Sequence, residues 1–187
     1  MKHLKKTSRR TRVLTGAAVA AALAAGTFGA VSATAAPSAA PQTAVTADVA
    51  DRNVHRTTHL TADAATRAAQ AALKAAEQDG RRVTVAVVDR NGNTLVTLRG
   101  DGAGPQSYES AERKAFTAVS WNAPTSELVK RLETAPNLKD IPGTLFLGGG
   151  VPVTAQGGPV AGIGVAGAPS GDLDEKYARA GAAALGH

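Results

Sequence analysis

The chain has no cysteine, and its one methionine is Met1. Disulfides, thiolate metal sites and cysteine catalysis are therefore excluded, as is a thioether ligand in any processed form. A domain without disulfides must hold itself by packing or by oligomerising. The second absence is of acid at the start. Residues 1–35 contain Lys2, Lys5, Lys6, Arg9, Arg10 and Arg12 and no Asp or Glu. Removing these six from 21 basic residues leaves 15, against 15 acidic ones, so the rest of the chain is formally neutral. The net charge of +6 belongs to the N-terminus and gives no argument for nucleic-acid binding. Phosphate-loop and dinucleotide fingerprints are missing too. Gly148, Gly149 and Gly150, and the pair Gly162 and Gly164, match neither pattern and read as tight turns and close sheet packing. No Ser-His-Asp pattern presents itself, and Asp89 has no evident histidine partner. After residue 35 no segment is apolar enough to span a bilayer.

What is present at the N-terminus is a targeting pattern. A positive stretch precedes a weakly apolar, Ala-rich run over residues 13–31, and the small residues Ala33 and Ala35 follow where a signal peptidase could cut. Arg9-Arg10 also fits a twin-arginine export signal in part. Residues 1–35 are expected to be a signal peptide, exported by that route or the general one. The product is then secreted. Residues 36–57 read as a flexible linker, and residues 58–187 as one domain.

Periodicity and turn chemistry set out that domain. Thr61 caps a helix running to about Asp79, with Ala65, Ala68, Ala72 and Ala76 as a stripe of small residues. Residues 83–89 and 93–99 flank Asn91-Gly92, a strong hairpin signal. A helix follows over residues 107–121. Thr125 is placed to cap a short helix over 127–133. Residues 144–147, 151–154 and 160–166 read as strands. Ser170 opens a last helix through Leu185, with Leu173, Tyr177, Ala180 and Ala184 inward. Hairpins with helices packed on them imply an α+β domain.

Glu109 and Glu112 stand three apart on one face of the 107–121 helix. Two carboxylates there can offer oxygen ligands to an iron ion. The plainer reading is an i,i+4 ion pair of Glu109 with Arg113. His55 and His59 stand four apart, but they precede the first helix and read as an exposed pair in a flexible arm.

Residues 83–98, 104–128 and 140–146 (Asp140-Ile-Pro-Gly-Thr-Leu-Phe146), with Gly162-Ile-Gly-Val-Ala-Gly167 and Asp172, resemble the GlcG/HbpS family from about His59 onward. The resemblance implies a profilin-like, five-stranded antiparallel sheet with helices on both sides. It implies haem as cofactor, iron capture, associated haem degradation, and a homo-oligomer, an octamer in the haem-binding members. It also implies service as accessory to a membrane sensor histidine kinase that responds to haem and oxidative stress. By the same resemblance the haem-iron contact falls on Thr144, with Ile141, Pro142 and Phe146 beside the porphyrin. An exposed iron site falls on Glu109 and Glu112. A histidine iron site falls on His59, with Arg82 where a second histidine is expected. No catalytic residue is assigned. Two other readings stay open: an enzyme acting on a small oxygenated metabolite, and an iron-sensing interaction module without haem chemistry.

Overall fold

The computed structural model describes residues 48–186. The expected signal peptide over residues 1–35, residues 36–47 of the expected linker and His187 lie outside the described residues. The remainder of the expected linker, 48–57, is exposed and holds one 3-10 turn at Asp51–Asn53. Eight regular elements follow: α1 (Ala62–Gln78), β1 (Thr84–Asp89), β2 (Thr94–Arg99), α2 (Gln106–Trp121), α3 (Thr125–Lys130), β3 (Gly150–Ala155), β4 (Gly158–Ala166) and α4 (Gly171–Ala183).

The four strands form one antiparallel sheet in the order β2-β1-β4-β3. The expected fifth strand, over residues 144–147, does not form. Its backbone groups are spent elsewhere: Thr144 N–H on the carbonyl of Ile141 (3.2 Å), Leu145 N–H on the hydroxyl of Thr117 (2.7 Å) and Leu147 N–H on the carbonyl of Leu145 (2.9 Å). A β-branched residue in an apolar run favours a strand only where a neighbouring edge accepts it. Here a turn and the side of α2 take those groups instead.

The sheet is covered on both faces, and β1 records it by burying all six of its residues. Alternate side chains go to opposite sides. Val85 and Val87 join Ala161, Ile163 and Val165 of β4, the alanine stripe of α1 and Tyr177 of α4 in the main core. Ala86 and Val88 point the other way, toward Ala111, Ala115 and Val119 of α2. On that second face β4 presents Gly162 and Gly164. A Cβ at either would overlap the carbonyl oxygen of Ala115 or Ala111, so glycine is what lets α2 lie directly on the sheet.

The helix ends follow local chemistry. Thr61 Oγ accepts the N–H of Ala64 (3.2 Å), and Ser170 Oγ accepts that of Leu173 (3.3 Å). Thr125 is not a cap. It is the first residue of α3, and its buried hydroxyl accepts the N–H of Gly150 (2.8 Å). In α4 the inward positions are Asp174, Glu175, Tyr177, Ala178 and Gly181, so Leu173, Ala180 and Ala184 are only partly covered. Two acids therefore face inward where only apolar residues were expected.

Candidate functional site

Helix α2 carries or borders nearly every candidate residue. Glu109 is exposed and pairs with Arg113 across one turn (3.6 Å). Glu112 is half-buried and accepts a hydrogen bond from Thr97 Oγ of β2 (3.0 Å). Among the described residues no three His, Cys, Asp or Glu side chains converge as a metal cluster. Glu109 and Glu112 thus offer two carboxylates, and the pairing with Arg113 competes for one Glu109 oxygen. Exposed ion pairs are worth only about 0–1 kcal/mol, so that competition is weak.

The loop after α3 docks on α2. Arg113 donates to the carbonyl of Thr144 (2.6 Å), and Thr117 Oγ holds Leu145 N–H. Thr144 is buried, and its hydroxyl donates to the carbonyl of Ile141 (2.7 Å). Phe146 is buried as well and meets Trp121 edge to face, with ring centroids 5.8 Å apart. Ile141 and Pro142 are exposed. The four expected haem neighbours therefore split: Ile141 and Pro142 face outward, while Thr144 and Phe146 anchor the loop.

Beside that turn lies a cleft of about 200 Å³ lined by Val88, Gly92, Thr94, Glu112, Arg113, Phe116 and Gly143. Gly92 and Gly143 both have positive φ, and both lie against the Phe116 ring. A side chain at Gly92 would meet that ring at 2.9 Å. Phe116 is half-buried, so the cleft has an aromatic wall, an aliphatic patch from Val88 and a cation and an anion at its edge.

His59 lies at the turn end of the same hairpin, beside Asp89. Its Nδ1 is 3.8 Å from Asp89 Oδ2, and its Nε2 is 2.7 Å from Thr57 Oγ. Asp89 thus has a histidine neighbour that the sequence did not reveal. The turn chemistry expected of it is also present, because Oδ1 accepts the N–H groups of Asn91 and Asn93 (both 2.8 Å). Burial pushes the Asp89 carboxyl up, but these bonds and His59 hold it below the usual carboxylate range. Arg82 stands before the start of β1 and His59 beside its end, roughly 20 Å apart along the strand. The fold of one chain does not bring them together.

Sequence reasoning missed Lys114. Its side chain is 2% exposed, with Nζ donating to Asp174 Oδ2 (2.8 Å) and to the carbonyl of Val165 (3.0 Å). The signal was available: Ala111, Lys114, Ala115 and Ala118 share one helical face, which puts a lysine among the buried alanines. Asp174 also accepts the N–H of Ala168 (2.9 Å). Burial raises its carboxyl above the ordinary value despite the ammonium beside it. Glu175, buried next to it, holds Ser126 N–H (3.2 Å) and Oγ (2.9 Å) at the start of α3.

Comparison with known proteins fits this architecture. The chain is 76% identical to a Streptomyces reticuli HbpS variant in which two glutamates three residues apart are aspartates. That match covers 79% of this chain and 100% of the variant, with a TM-score of 0.76. A second HbpS structure is 79% identical over 75% of this chain and 100% of its own, with a TM-score of 0.74. A structure described as a PduOC–haem complex is 28% identical over 68% of this chain and 95% of that one, with a TM-score of 0.63. An uncharacterized 15.0 kDa protein of Citrobacter freundii is 32% identical over 90 residues, 46% of this chain. The match spans 63% of that relative's length. The profile described as "Haem degrading protein HbpS-like" matches residues 60–183, and the chain belongs to that HbpS-like family.

Proposed function

We propose that the protein binds haem where the 141–147 loop meets α2. The observation that carries this reading is the apolar step there. Gly92 and Gly143 lie against the Phe116 ring without side chains to cover it, and the exposed Ile141 and Pro142 directly precede Gly143 in the chain. Pockets that enclose a small molecule run to about 300–1,000 Å³. A cleft of about 200 Å³ takes one edge of a porphyrin and leaves the rest across the turn. Burial of apolar ring surface then supplies most of the affinity. Arg113, on the cleft wall, suits a peripheral carboxylate of the ring. Thr144 is the proposed iron contact. Its proton is committed to Ile141, so it offers a lone pair as a weak neutral ligand. It is buried, so its use requires the exposed turn ahead of it to open. Bound haem supplies a redox-active iron, while these side chains hold the ring and limit access to it.

Membership of the HbpS-like family and the likeness to a haem-bound PduOC structure support this reading. Haem degradation and action as accessory to a membrane sensor histidine kinase, within an octamer, are proposed with it. So is secretion: residues 1–35 as signal peptide, 36–57 as linker and 58–187 as the haem-binding domain. Among the described residues no helix is long and apolar enough to cross a membrane. Glu109 and Glu112 are proposed as a peripheral iron site, and His59 as a second iron contact. The likeness to an HbpS variant altered at two glutamates of the same spacing supports the first.

A hemin titration followed at the Soret band tests the haem reading. Ile141→Asp and Phe116→Ala are expected to weaken binding, and Thr144→Ala to shift the band. An unshifted band in Thr144→Ala removes that residue as ligand but leaves haem binding standing. Iron bound equally by a Glu109→Ala, Glu112→Ala double variant removes the acidic-pair assignment.

A further inference from the structure

Lys114 lies at the wall of a second hollow, about 210 Å³, that the haem reading does not use. Besides Lys114, its lining includes Gln106, Ser110, Leu147, Ala168 and Asp174. Two N–H groups of the ammonium go to Asp174 Oδ2 (2.8 Å) and Val165 O (3.0 Å). An ammonium carries three. The third has no acceptor among the described residues. Asp174 is otherwise occupied: Oδ1 takes the N–H of Ala168 (2.9 Å). Its negative charge is thus shared between a backbone donor and the lysine. A Cβ on Gly149 would sit 2.8 Å from Nζ, so glycine there lets the main chain pass close to the ammonium.

The Ser110 hydroxyl has no hydrogen-bond partner among the described residues and stands one turn before Lys114 on the same helix. Gln106 adds an amide at the mouth. Leu147, 52% exposed, forms an apolar lip with Ala166 and Ala168. The second hydroxyl in the lining, that of Ser107, is taken up by Thr84 and the Gly104 carbonyl. One buried cation, one free hydroxyl, one amide and a small aliphatic wall suit a ligand with a single negative charge and a short carbon chain. A phosphate carries more charge than one lysine, already shared with Asp174, can offset.

We propose that this hollow binds a small monocarboxylate of a few carbons, with its carboxylate on Lys114 Nζ and Ser110 Oγ. The assignment is independent of the haem reading, which concerns the other flank of α2.

The test uses the full chain and lactate as probe, with lactamide as the uncharged control and inorganic phosphate as the competing anion. Melting temperature and calorimetric titration are the readouts. Lactate is expected to bind saturably and to raise the melting temperature. Lactamide should do neither, and phosphate should bind more weakly than lactate. Ser110→Val, at a partly exposed helix position, should leave the unliganded melting temperature unchanged and weaken lactate by about tenfold or more, the loss of one hydrogen bond to a charged group. The Lys114→Met, Asp174→Leu double variant removes both charges together and should bind no lactate. The proposal is overturned if lactate does not saturate, if lactamide matches it, if phosphate binds tighter, or if Ser110→Val leaves lactate affinity unchanged. If the double variant fails to fold, Ser110→Val decides alone.

Discussion

Replacing Lys114 alone probes how the three layers are joined. The side chain runs from α2 to the end of β4 and the start of α4, and its removal as Lys114→Met keeps most of the apolar stem. What is lost is a cation 2.8 Å from a buried carboxylate. Breaking a buried pair from one side costs about 3–5 kcal/mol, because the remaining charge has no partner. For a domain of roughly 140 residues, each kcal/mol lowers the melting temperature by about 3–4 °C. Lys114→Met should therefore melt about 9–20 °C lower at neutral pH. The loss should shrink in acid. Burial already raises the Asp174 carboxyl. A carboxyl whose folded pKa lies above its unfolded one stabilises the fold at pH values below the unfolded pKa, and that contribution is lost as pH rises through the folded pKa. Without Lys114 its folded pKa rises further, so a protonated, uncharged Asp174 forms at milder acidity and the variant recovers there. Replacing both partners by apolar residues of similar size is often neutral. Lys114→Met with Asp174→Leu should thus melt above Lys114→Met alone. Thermal melts at pH 5 and pH 7.5, followed by circular dichroism, measure all of this. Equal melting of Lys114→Met and wild type, or a double variant worse than the single, would refute the reasoning.

Gly164→Ala should lower stability by about 1–3 kcal/mol or more in urea unfolding, because the new methyl group overlaps the Ala111 carbonyl and forces α2 off the sheet. Thr61→Ala removes the acceptor for Ala64 N–H and should cost about 1 kcal/mol, read as a lower urea midpoint at unchanged slope. Asp79 is held below the ordinary carboxylate value by hydrogen bonds from Lys176 (2.6 Å) and Tyr177 (2.9 Å). Its contribution is present above the unfolded value of 3.8 and lost as pH falls through the folded one. The urea midpoint of Asp79→Asn should accordingly vary less than that of wild type below about pH 4.

The parts of the fold that local rules govern were legible in the sequence. Asn91-Gly92 placed the first hairpin, Thr61 and Ser170 placed two helix starts, and the alanine stripe of α1 proved fully buried. The strand expected over 144–147 failed because its N–H groups are claimed by Thr117 and by the loop itself, contacts set by tertiary structure. Lys114 escaped because a lysine on a helix normally faces water. Only the distant Asp174 and the Val165 carbonyl make its burial tolerable. The link from His59 to Asp89 likewise joins segments 30 positions apart and leaves no local pattern. Glu109 and Glu112 were legible as a helix-surface pair, and Glu109 does pair with Arg113. Glu112 turns instead to Thr97 on β2, a partner that only the packing of α2 on the sheet supplies.

The central claim is haem binding on the turn that Ile141, Pro142 and Gly143 make beside Phe116. The most direct measurement is a hemin titration of the full chain and of an Ile141→Asp, Phe116→Ala variant shown by circular dichroism to be folded. Wild type should give a saturable Soret band, and the variant a much weakened one. No saturable band in wild type, or an equal one in the variant, would contradict that claim.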